Sequence, residues 1–255
     1  MTFVSFFAGI GGIDLGLERA GHECVGQVEI GPYCNRVLEK HWPGMWRHDD
    51  IRTLDPADIP AADLWCGGFP CQNISSAGLK EGIRGAKSGL FFNFARLVRE
   101  GRPAVVLLEN VAGLSSRGLG EVLWELSSCG YDAEWETLPA GIFGAFHQRH
   151  RTFVVGYAHA KSKPDLQEHD EAPWLPPLVA NTEHAWRSLR GSLGRAWGER
   201  ESVPWDFDGE CTDSAVAVRV DDGLPNRMDR LSALGNAVVP QVAEYIGRLL
   251  MEATP

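Results

Sequence analysis

Residues 3–21, FVSFFAGIGGIDLGLERAG, decide the fold class because they combine a strand, a turn and a helix in one short stretch. The apolar run at the start is typical of a buried strand, and the glycines of GIGG end it. Ile13, Leu15 and Leu17 then follow with polar partners in a helical pattern, which Gly21 closes. A strand followed at once by a helix begins a βαβ unit, which predicts an α/β protein.

The chain up to Tyr157 continues this alternation. Helices are predicted at 33–42, 91–101 and 119–129, and strands at 23–29, 62–66, 103–110, 131–138 and 152–157. Such a pattern predicts parallel strands in a sheet that helices cover on both faces, with functional groups beyond the carboxyl ends of the strands. GIGG, Glu29, Cys71 and the pair Glu109–Asn110 all fall at the ends of predicted strands, so we expect them on one rim of the sheet.

The sequence changes in character after Tyr157. Residues 158–230 are rich in proline, tryptophan and charge and show weak periodicity, which predicts a small separate region. Order returns in LGNAVVPQVAEYIGRLLM, residues 234–251, where a turn precedes an amphipathic helix. We expect this helix to pack on the first domain, so that residues 1–157 and 231–255 form one discontinuous domain.

Composition limits the classes of function. The chain has 255 residues, of which 44% are hydrophobic and 23% charged, as in globular proteins. It has no apolar run of transmembrane length and no N-terminal signal segment, which predicts a cytoplasmic protein without a membrane partner. Its six cysteines lack CxxC spacing, which argues against a disulfide framework and against a metal site.

The net charge of −10 argues mildly against a nucleic-acid partner, but the charge is unevenly distributed. Residues 144–163 carry four lysines or arginines and no acid, and residues 186–200 combine four arginines with two tryptophans. An acidic protein with such basic stripes can still follow a phosphate backbone. Either stripe taken alone is also compatible with an ordinary solvated surface.

A glycine turn and two acids are candidates for binding a nucleoside. The spacing Gly9-x-Gly11-Gly12 does not match the dinucleotide fingerprint GxGxxG, so on its own it is equally compatible with a plain turn. Glu29 ends the second predicted strand, where a carboxylate either accepts hydrogen bonds from ribose hydroxyls or simply lies at the surface. Asp50, in HDDI, has the acceptor that an adenine amino group needs.

Cys71 and Glu109 are the candidates for catalysis. Cys71 follows Pro70 in the loop GGFPCQNIS, residues 67–75, and a thiol in such a loop is more readily reactive than one inside a strand. No neighbour along the chain is an obvious activating base. Glu109 ends the apolar run AVVLLEN, where desolvation favours a protonated carboxyl that can donate a hydrogen bond to a ring nitrogen. A strand-terminal acid in water is the alternative.

Taken together and in chain order, FAGIGG, Glu29, Asp50, GGFPCQNIS, ENV, RHR and GNAVVP resemble the DNA cytosine-5 methyltransferases. The resemblance covers residues 3–157 and about 231–251. It implies the Rossmann-like fold of S-adenosylmethionine-dependent methyltransferases, with residues 158–230 as a small target-recognition region. The S-adenosylmethionine site that it implies comprises Phe7, Ala8, Gly9, Gly11, Gly12, Glu29, Ile30, Asp50, Ile51, Pro70, Asn236 and Val238.

The resemblance also implies a monomeric enzyme acting on double-stranded DNA, with a catalytic group of Cys71, Glu109, Asn110, Arg149 and Arg151. The Cys71 thiolate is expected to add to C6 of a flipped-out cytosine while Glu109 hydrogen-bonds or protonates N3. Asn110 would orient the Glu109 loop and Pro70. The two arginines, one residue apart in an extended segment, would point the same way, with Arg151 on the cytosine and its phosphate.

Two features depart from the family pattern. FHQRHR at residues 146–151 has His147 where the family has a glutamine, and residues 158–230 form a small region for target recognition. The loop 72–89 is expected to close over the DNA and carry Cys71 into place. Two other functions stay open: cytosine-5 methylation of RNA, chiefly tRNA, on the same scaffold, and a non-catalytic DNA-binding relative.

Overall fold

The computed structural model describes residues 1–70, 89–145, 147–159 and 227–253. Within these ranges seven strands form one sheet in the order β3-β2-β1-β4-β5-β7-β6. The strands are β1 Thr2–Phe6, β2 Glu23–Val28, β3 Arg47–His48, β4 Leu64–Gly68, β5 Val105–Val111, β6 Tyr131–Pro139 and β7 His150–Ala158. The helices are α1 Gly12–Arg19, α2 Pro32–His41, α3 Leu90–Gly101, α4 Leu114–Arg117, α5 Leu119–Ser128, α6 Arg227–Asn236 and α7 Pro240–Ala253, with 3₁₀ turns at Pro56–Asp58 and Ala140–Phe143.

Strands β1 to β5 are parallel, whereas β7 runs antiparallel to both β5 and β6. The prediction of parallel strands therefore holds for β1 to β5 and is wrong for β7. Parallel neighbours need a crossover of about a dozen residues or more, usually containing a helix. Only residues 140–149, with one 3₁₀ turn, connect β6 to β7, and this short connection suits a hairpin.

Helices cover both faces of the sheet, and β1 shows this most clearly. The ring of Phe6 lies 5.1 Å from that of Phe94 in α3 and 5.2 Å from that of Trp65 in β4. Ser5, its neighbour in the strand, points to the opposite face, where its hydroxyl donates to Asp14 of α1. Alternate residues of a strand point to opposite faces, so β1 is buried between two helical layers.

The last helix packs directly on the first. The buried apolar side chains of α7 recur on one face of the helix: Val242, Ala243, Ile246 and Leu250. Two glycines bring the helix backbones close, because a Cβ on Gly16 of α1 would lie 2.5 Å from Ala243 Cβ and one on Gly247 of α7 would lie 2.8 Å from Ala20 Cβ. The N-terminal and C-terminal parts of the described chain thus share one core.

Replacing Gly16 with alanine is expected to lower the free energy of unfolding by about 1–3 kcal/mol, the usual cost of overpacking. The new methyl would also overlap the carbonyl oxygen of Pro240, which is backbone and cannot rotate away. Gly120→Ala near the start of α5 is the matched control, because no described residue lies within 4 Å of a Cβ there. Urea titrations of both variants provide the measurement, and equal midpoints would contradict the close packing of α1 on α7.

The described residues other than Arg227 belong to one compact unit, Met1–Gln167 with Met228–Pro255. Helix α6 crosses the boundary predicted between residues 230 and 231. Residues 160–226 of the predicted recognition region lie outside the described residues, so the domain boundaries stay predictions. In the part of the chain that the structure describes, no helix is long and apolar enough to cross a membrane.

Candidate active site

The turn between β1 and α1 lies at the carboxyl end of β1. Phe7, Gly9 and Gly11 all have positive φ angles, of 53°, 58° and 82°. The N–H of Gly11 donates to the carbonyl of Ala8 at 2.9 Å and closes the turn just before α1 begins. The N-cap residue of α1 is Gly11, which has no side chain to cap the helix.

The three glycines of this turn serve different purposes. A Cβ on Gly11 would lie 2.5 Å from the ring of Trp42, and one on Gly12 would overlap the carbonyl oxygen of Val238. Gly11 and Gly12 therefore make room for other parts of the protein rather than for a ligand. Among the described residues, none comes nearer than 4.0 Å to a Cβ placed on Gly9, so this part of the structure leaves space beside Gly9 for a ligand.

Glu29 is held against the turn by two backbone amides. The N–H of Gly9 donates to Oε2 at 2.8 Å, and that of Gly31 donates to Oε1 at 2.6 Å. A carboxylate has about four acceptor sites, so two such bonds leave capacity for hydroxyl donors. Ile30, the next residue, leaves an apolar side chain 62% exposed beside this carboxylate. The pair therefore offers both a polar and an apolar surface at the end of β2.

Asp50 follows β3, and its carboxylate pairs with Arg52. The Nε of Arg52 lies 2.9 and 3.0 Å from the two carboxylate oxygens, and a terminal nitrogen lies 2.6 Å from Oδ2. These hydrogen bonds lower the pKa of Asp50 to about 2. Ile51 beside it is buried. An adenine amino group would share the oxygens of Asp50 with Arg52, a competition that the sequence alone does not reveal.

Glu109 lies near the end of β5, in register with Gly68 of β4. A Cβ on Gly68 would lie 2.7 Å from Oε2 of Glu109, so glycine makes room for the carboxyl group. Oε1 of Glu109 lies 2.9 Å from Nε of Arg151. Burial raises the pKa of Glu109 to about 7, against the opposing effect of the Arg151 and Arg149 guanidiniums. A carboxyl with this pKa can both hold and release a proton at neutral pH.

Asn110 joins β5 to the segment that leads to Cys71. Its Nδ2 donates to the carbonyl oxygen of Phe69 at 2.9 Å, and its Oδ1 accepts from the N–H of Val111 at 2.9 Å. Pro70, which follows Phe69, is half-buried. Cys71 and the predicted loop up to residue 88 lie outside the described residues. The buried amide of Asn110 therefore fixes the chain two residues before the predicted nucleophile.

Arg149 and Arg151 bond to different groups, although the charges of both guanidiniums act on the carboxyl of Glu109. Arg149 has a φ of 30°, in the left-handed region, and β7 begins only at His150. A terminal nitrogen of Arg149 donates to the carbonyls of Gly235 and Ala237 at 2.6 and 2.8 Å, whereas Arg151 pairs with Glu109. The side chains of an extended strand alternate between its two faces, but Arg149 lies before the strand and is not extended.

Several of the predicted site residues thus form two clusters at one rim of the sheet. The turn cluster comprises Gly9, Gly12, Glu29 and Val238, and the carboxyl cluster comprises Glu109, Asn110 and Arg151. Strand β4 pairs with both β1 and β5 and so lies between the clusters. Asn236 is exposed at the end of α6, and His147 is exposed ahead of β7. The described contacts of Asp50 are local, with Arg52 and Thr53.

A buried polar network beneath the turn is absent from the sequence-based prediction. Asp14, in the first turn of α1, accepts from Ser5 Oγ at 2.9 Å and from Gln27 Nε2 at 2.8 Å. Burial raises the pKa of Asp14 to about 6. The three side chains tie α1 to β1 and β2 directly under the turn cluster. Ser5 within the apolar run FVSFF and Asp14 just after GIGG are the signals that point to it.

The comparison with protein families decides the identity of the chain. Residues 1–194 match the model of the C-5 cytosine-specific DNA methylases. The chain belongs to this family. The Type II methyltransferase M2.BsuMI of Bacillus subtilis (strain 168) is 35% identical over 220 residues, which cover 80% of this chain and 55% of that relative. The Type II methyltransferase M.DsaV of Dactylococcopsis salina is 36% identical over 167 residues, covering 64% and 47%.

This C-5 cytosine-specific DNA methylase family member spans about half the length of the curated relatives it matches. Its fold is similar to that of the S. pombe Dnmt2 methyltransferase, with a TM-score of 0.62, 18% sequence identity and full coverage of both chains. The seven-stranded sheet and this likeness confirm the Rossmann-like methyltransferase fold that the sequence predicts. The family assignment made from the ordered motifs is also confirmed.

Proposed function

We propose that this protein transfers a methyl group to C5 of cytosine in double-stranded DNA. The observation that carries the proposal is the buried carboxyl of Glu109, whose pKa is raised to about 7. The next residue in the strand, Asn110, donates to the carbonyl of Phe69 and so holds the segment just before Cys71. Activation of C5 requires a proton for N3 of the ring and a nucleophile for C6. Glu109 and Cys71 are the residues of this chain suited to these two tasks.

The turn cluster fits S-adenosylmethionine as the cofactor. Gly9 leaves open space beside the start of α1, Glu29 has acceptor capacity for ribose hydroxyls, and Ile30 exposes an apolar surface for the adenine ring. When bound, the cofactor supplies an electrophilic methyl group. We assign the remainder of its site to Phe7, Ala8, Gly11, Gly12, Asp50, Ile51, Pro70, Asn236 and Val238.

The covalent route gives each catalytic residue one task. Because C6 is unreachable in a stacked duplex, the target cytosine is flipped out. The Cys71 thiolate forms a bond to C6 while Glu109 gives its proton to N3, and C5 becomes electron-rich. After C5 has gained the methyl group and lost its proton to a base, the bond between sulfur and C6 breaks, and N3 returns its proton to Glu109. Arg151 stabilises the Glu109 carboxylate that forms in between.

Residues 158–230 are proposed to select the target site in the DNA. The stripe 186–200 in this region, with four arginines and two tryptophans, suits contacts to phosphates and bases. Phosphate contacts position a protein, whereas contacts to base edges specify sequence. Expression in a host without cytosine methylation, followed by mapping of 5-methylcytosine, identifies the site that this region selects.

Methyl transfer from labelled S-adenosylmethionine tests the function directly. With unmethylated duplex DNA and tRNA offered separately, we expect label in 5-methylcytosine of the duplex DNA. Label in tRNA alone would contradict the proposal and favour an RNA methyltransferase on the same scaffold. Binding of duplex DNA without transfer to either substrate would favour a non-catalytic relative.

A further inference from the structure

Arg149 connects the start of β7 to a distant part of the chain. Its guanidinium donates from one terminal nitrogen to the carbonyl oxygens of Gly235 and Ala237, at 2.6 and 2.8 Å. Arg149 has a left-handed φ of 30°, so its side chain does not follow the two-residue alternation of the side chains in β7. Arg149 therefore holds the end of α6 from the side of the sheet that carries the carboxyl cluster.

The contact satisfies groups that a helix leaves unpaired. The last carbonyls of an α-helix have no partner within the helix, and they carry partial negative charge. Gly235 lies in the last turn of α6, and Ala237 follows the helix directly. A cation supplied by another element is a favourable partner for such carbonyls. The two bonds also fix Asn236, which lies between the two residues that accept them.

The segment 235–238 begins at the carbonyls that Arg149 holds and ends at Val238, which packs against Gly12 of the turn cluster. Val238 is buried, and its backbone packs so closely on Gly12 that any Cβ on Gly12 would overlap the Val238 carbonyl. The segment 235–238 is thus fixed at one end by Arg149 and packed at the other against the turn that begins α1. A displacement of residues 235–237 would be transmitted to Val238 and so to Gly12.

We propose that Arg149 is a positioning residue for the cofactor site, which acts through residues 235–238 and contacts neither the cytosine nor its phosphate. The proposal rests on the function proposed above. Two residues further on, Nε of Arg151 lies 2.9 Å from Glu109, so the two arginines on either side of His150 contact the carboxyl cluster and the segment 235–238. The two arginines then have different roles: Arg151 acts at the cytosine through Glu109, and Arg149 acts at the cofactor site.

Arg149→Met is expected to raise the dissociation constant for S-adenosylmethionine by at least about tenfold, because two charge-assisted hydrogen bonds that hold the wall of the site are lost. The full-length protein is titrated calorimetrically without DNA. In turnover on duplex DNA, KM for the cofactor rises while kcat at saturating cofactor stays within about threefold of wild type. His150→Ala, an exposed neighbour, is the matched control and should leave both constants unchanged.

Arg149→Lys keeps a charged donor for the carbonyls and guards against a variant that fails to fold. We expect it to bind the cofactor more tightly than Arg149→Met and less tightly than wild type. Amide hydrogen exchange of residues 234–239 should quicken in the order wild type, lysine, methionine. Unchanged cofactor affinity together with a large loss of kcat would overturn the proposal and return Arg149 to the base. Absence of cofactor binding by the wild-type protein would instead contradict the proposed function itself.

Discussion

Replacing Cys71 with serine is expected to lower the rate of methyl transfer to duplex DNA by about three orders of magnitude or more. A serine hydroxyl has a far higher pKa than a thiol and offers no comparable anion at neutral pH, so addition to C6 fails. Binding of S-adenosylmethionine should stay near the wild-type affinity, because Cys71 is not among the residues assigned to the cofactor site. Near-normal methylation by the variant would refute the assignment of the nucleophile.

A covalent trap makes the same prediction visible without turnover. Duplex DNA with 5-fluorocytosine at the target has no removable proton on C5, so the bond between Cys71 and C6 cannot be broken after methylation. We expect a denaturation-resistant adduct with the wild-type protein and none with Cys71→Ser. Cys129→Ser, a change at a buried thiol after α5, is the control and should still form the adduct. An adduct that survives in Cys71→Ser would mean that another residue attacks the ring.

The fold was largely predictable from the sequence because its elements begin and end with strong local signals. Apolar runs mark β1 and β5, and glycines close the turn before α1. The direction of β7 was not predictable from the apolar pattern, because a hairpin and a crossover share the same strand periodicity. Helix α6 was missed because its sequence, RMDRLSALGN, is short and polar and has a weak apolar face.

The site was predictable in its residue types and less so in its contacts. Glu29 and Glu109 follow apolar runs, and their positions in chain order indicate nucleoside chemistry. The reasons for Gly11 and Gly12 depend on Trp42 and Val238, which approach from distant parts of the chain. A turn motif cannot show such neighbours. The role of Arg149 likewise depends on a single left-handed φ, which no residue pattern around it signals.

Replacing Glu109 with glutamine is expected to lower kcat/KM by about 10²–10⁴-fold, because an amide of the same shape cannot give a proton to N3. The pKa of Glu109 is about 7, so the protonated carboxyl is lost as the pH rises through neutrality. The wild-type protein should therefore show a descending limb of kcat/KM above about pH 7, which the variant lacks. Glu100→Gln, at a half-exposed position on α3, should leave the profile unchanged. An identical descending limb in Glu109→Gln would assign that limb to another group.

The same substitution changes the pH dependence of stability in a direction that follows from burial. The pKa of Glu109 is raised from its ordinary value of 4.5 to about 7, so between these values the folded protein binds the proton more tightly than the unfolded chain. The free energy of unfolding therefore falls as the pH rises through this window, by at most about 1.4 kcal/mol per pH unit. Glutamine carries no proton to lose, so Glu109→Gln should lose less stability than wild type between about pH 5 and about pH 8. Asp14, whose pKa is raised to about 6, follows the same trend in both proteins and cancels in the difference between their urea titrations. Parallel stability curves would mean that Arg151 keeps Glu109 ionised in the folded protein and that the proton for N3 has another source.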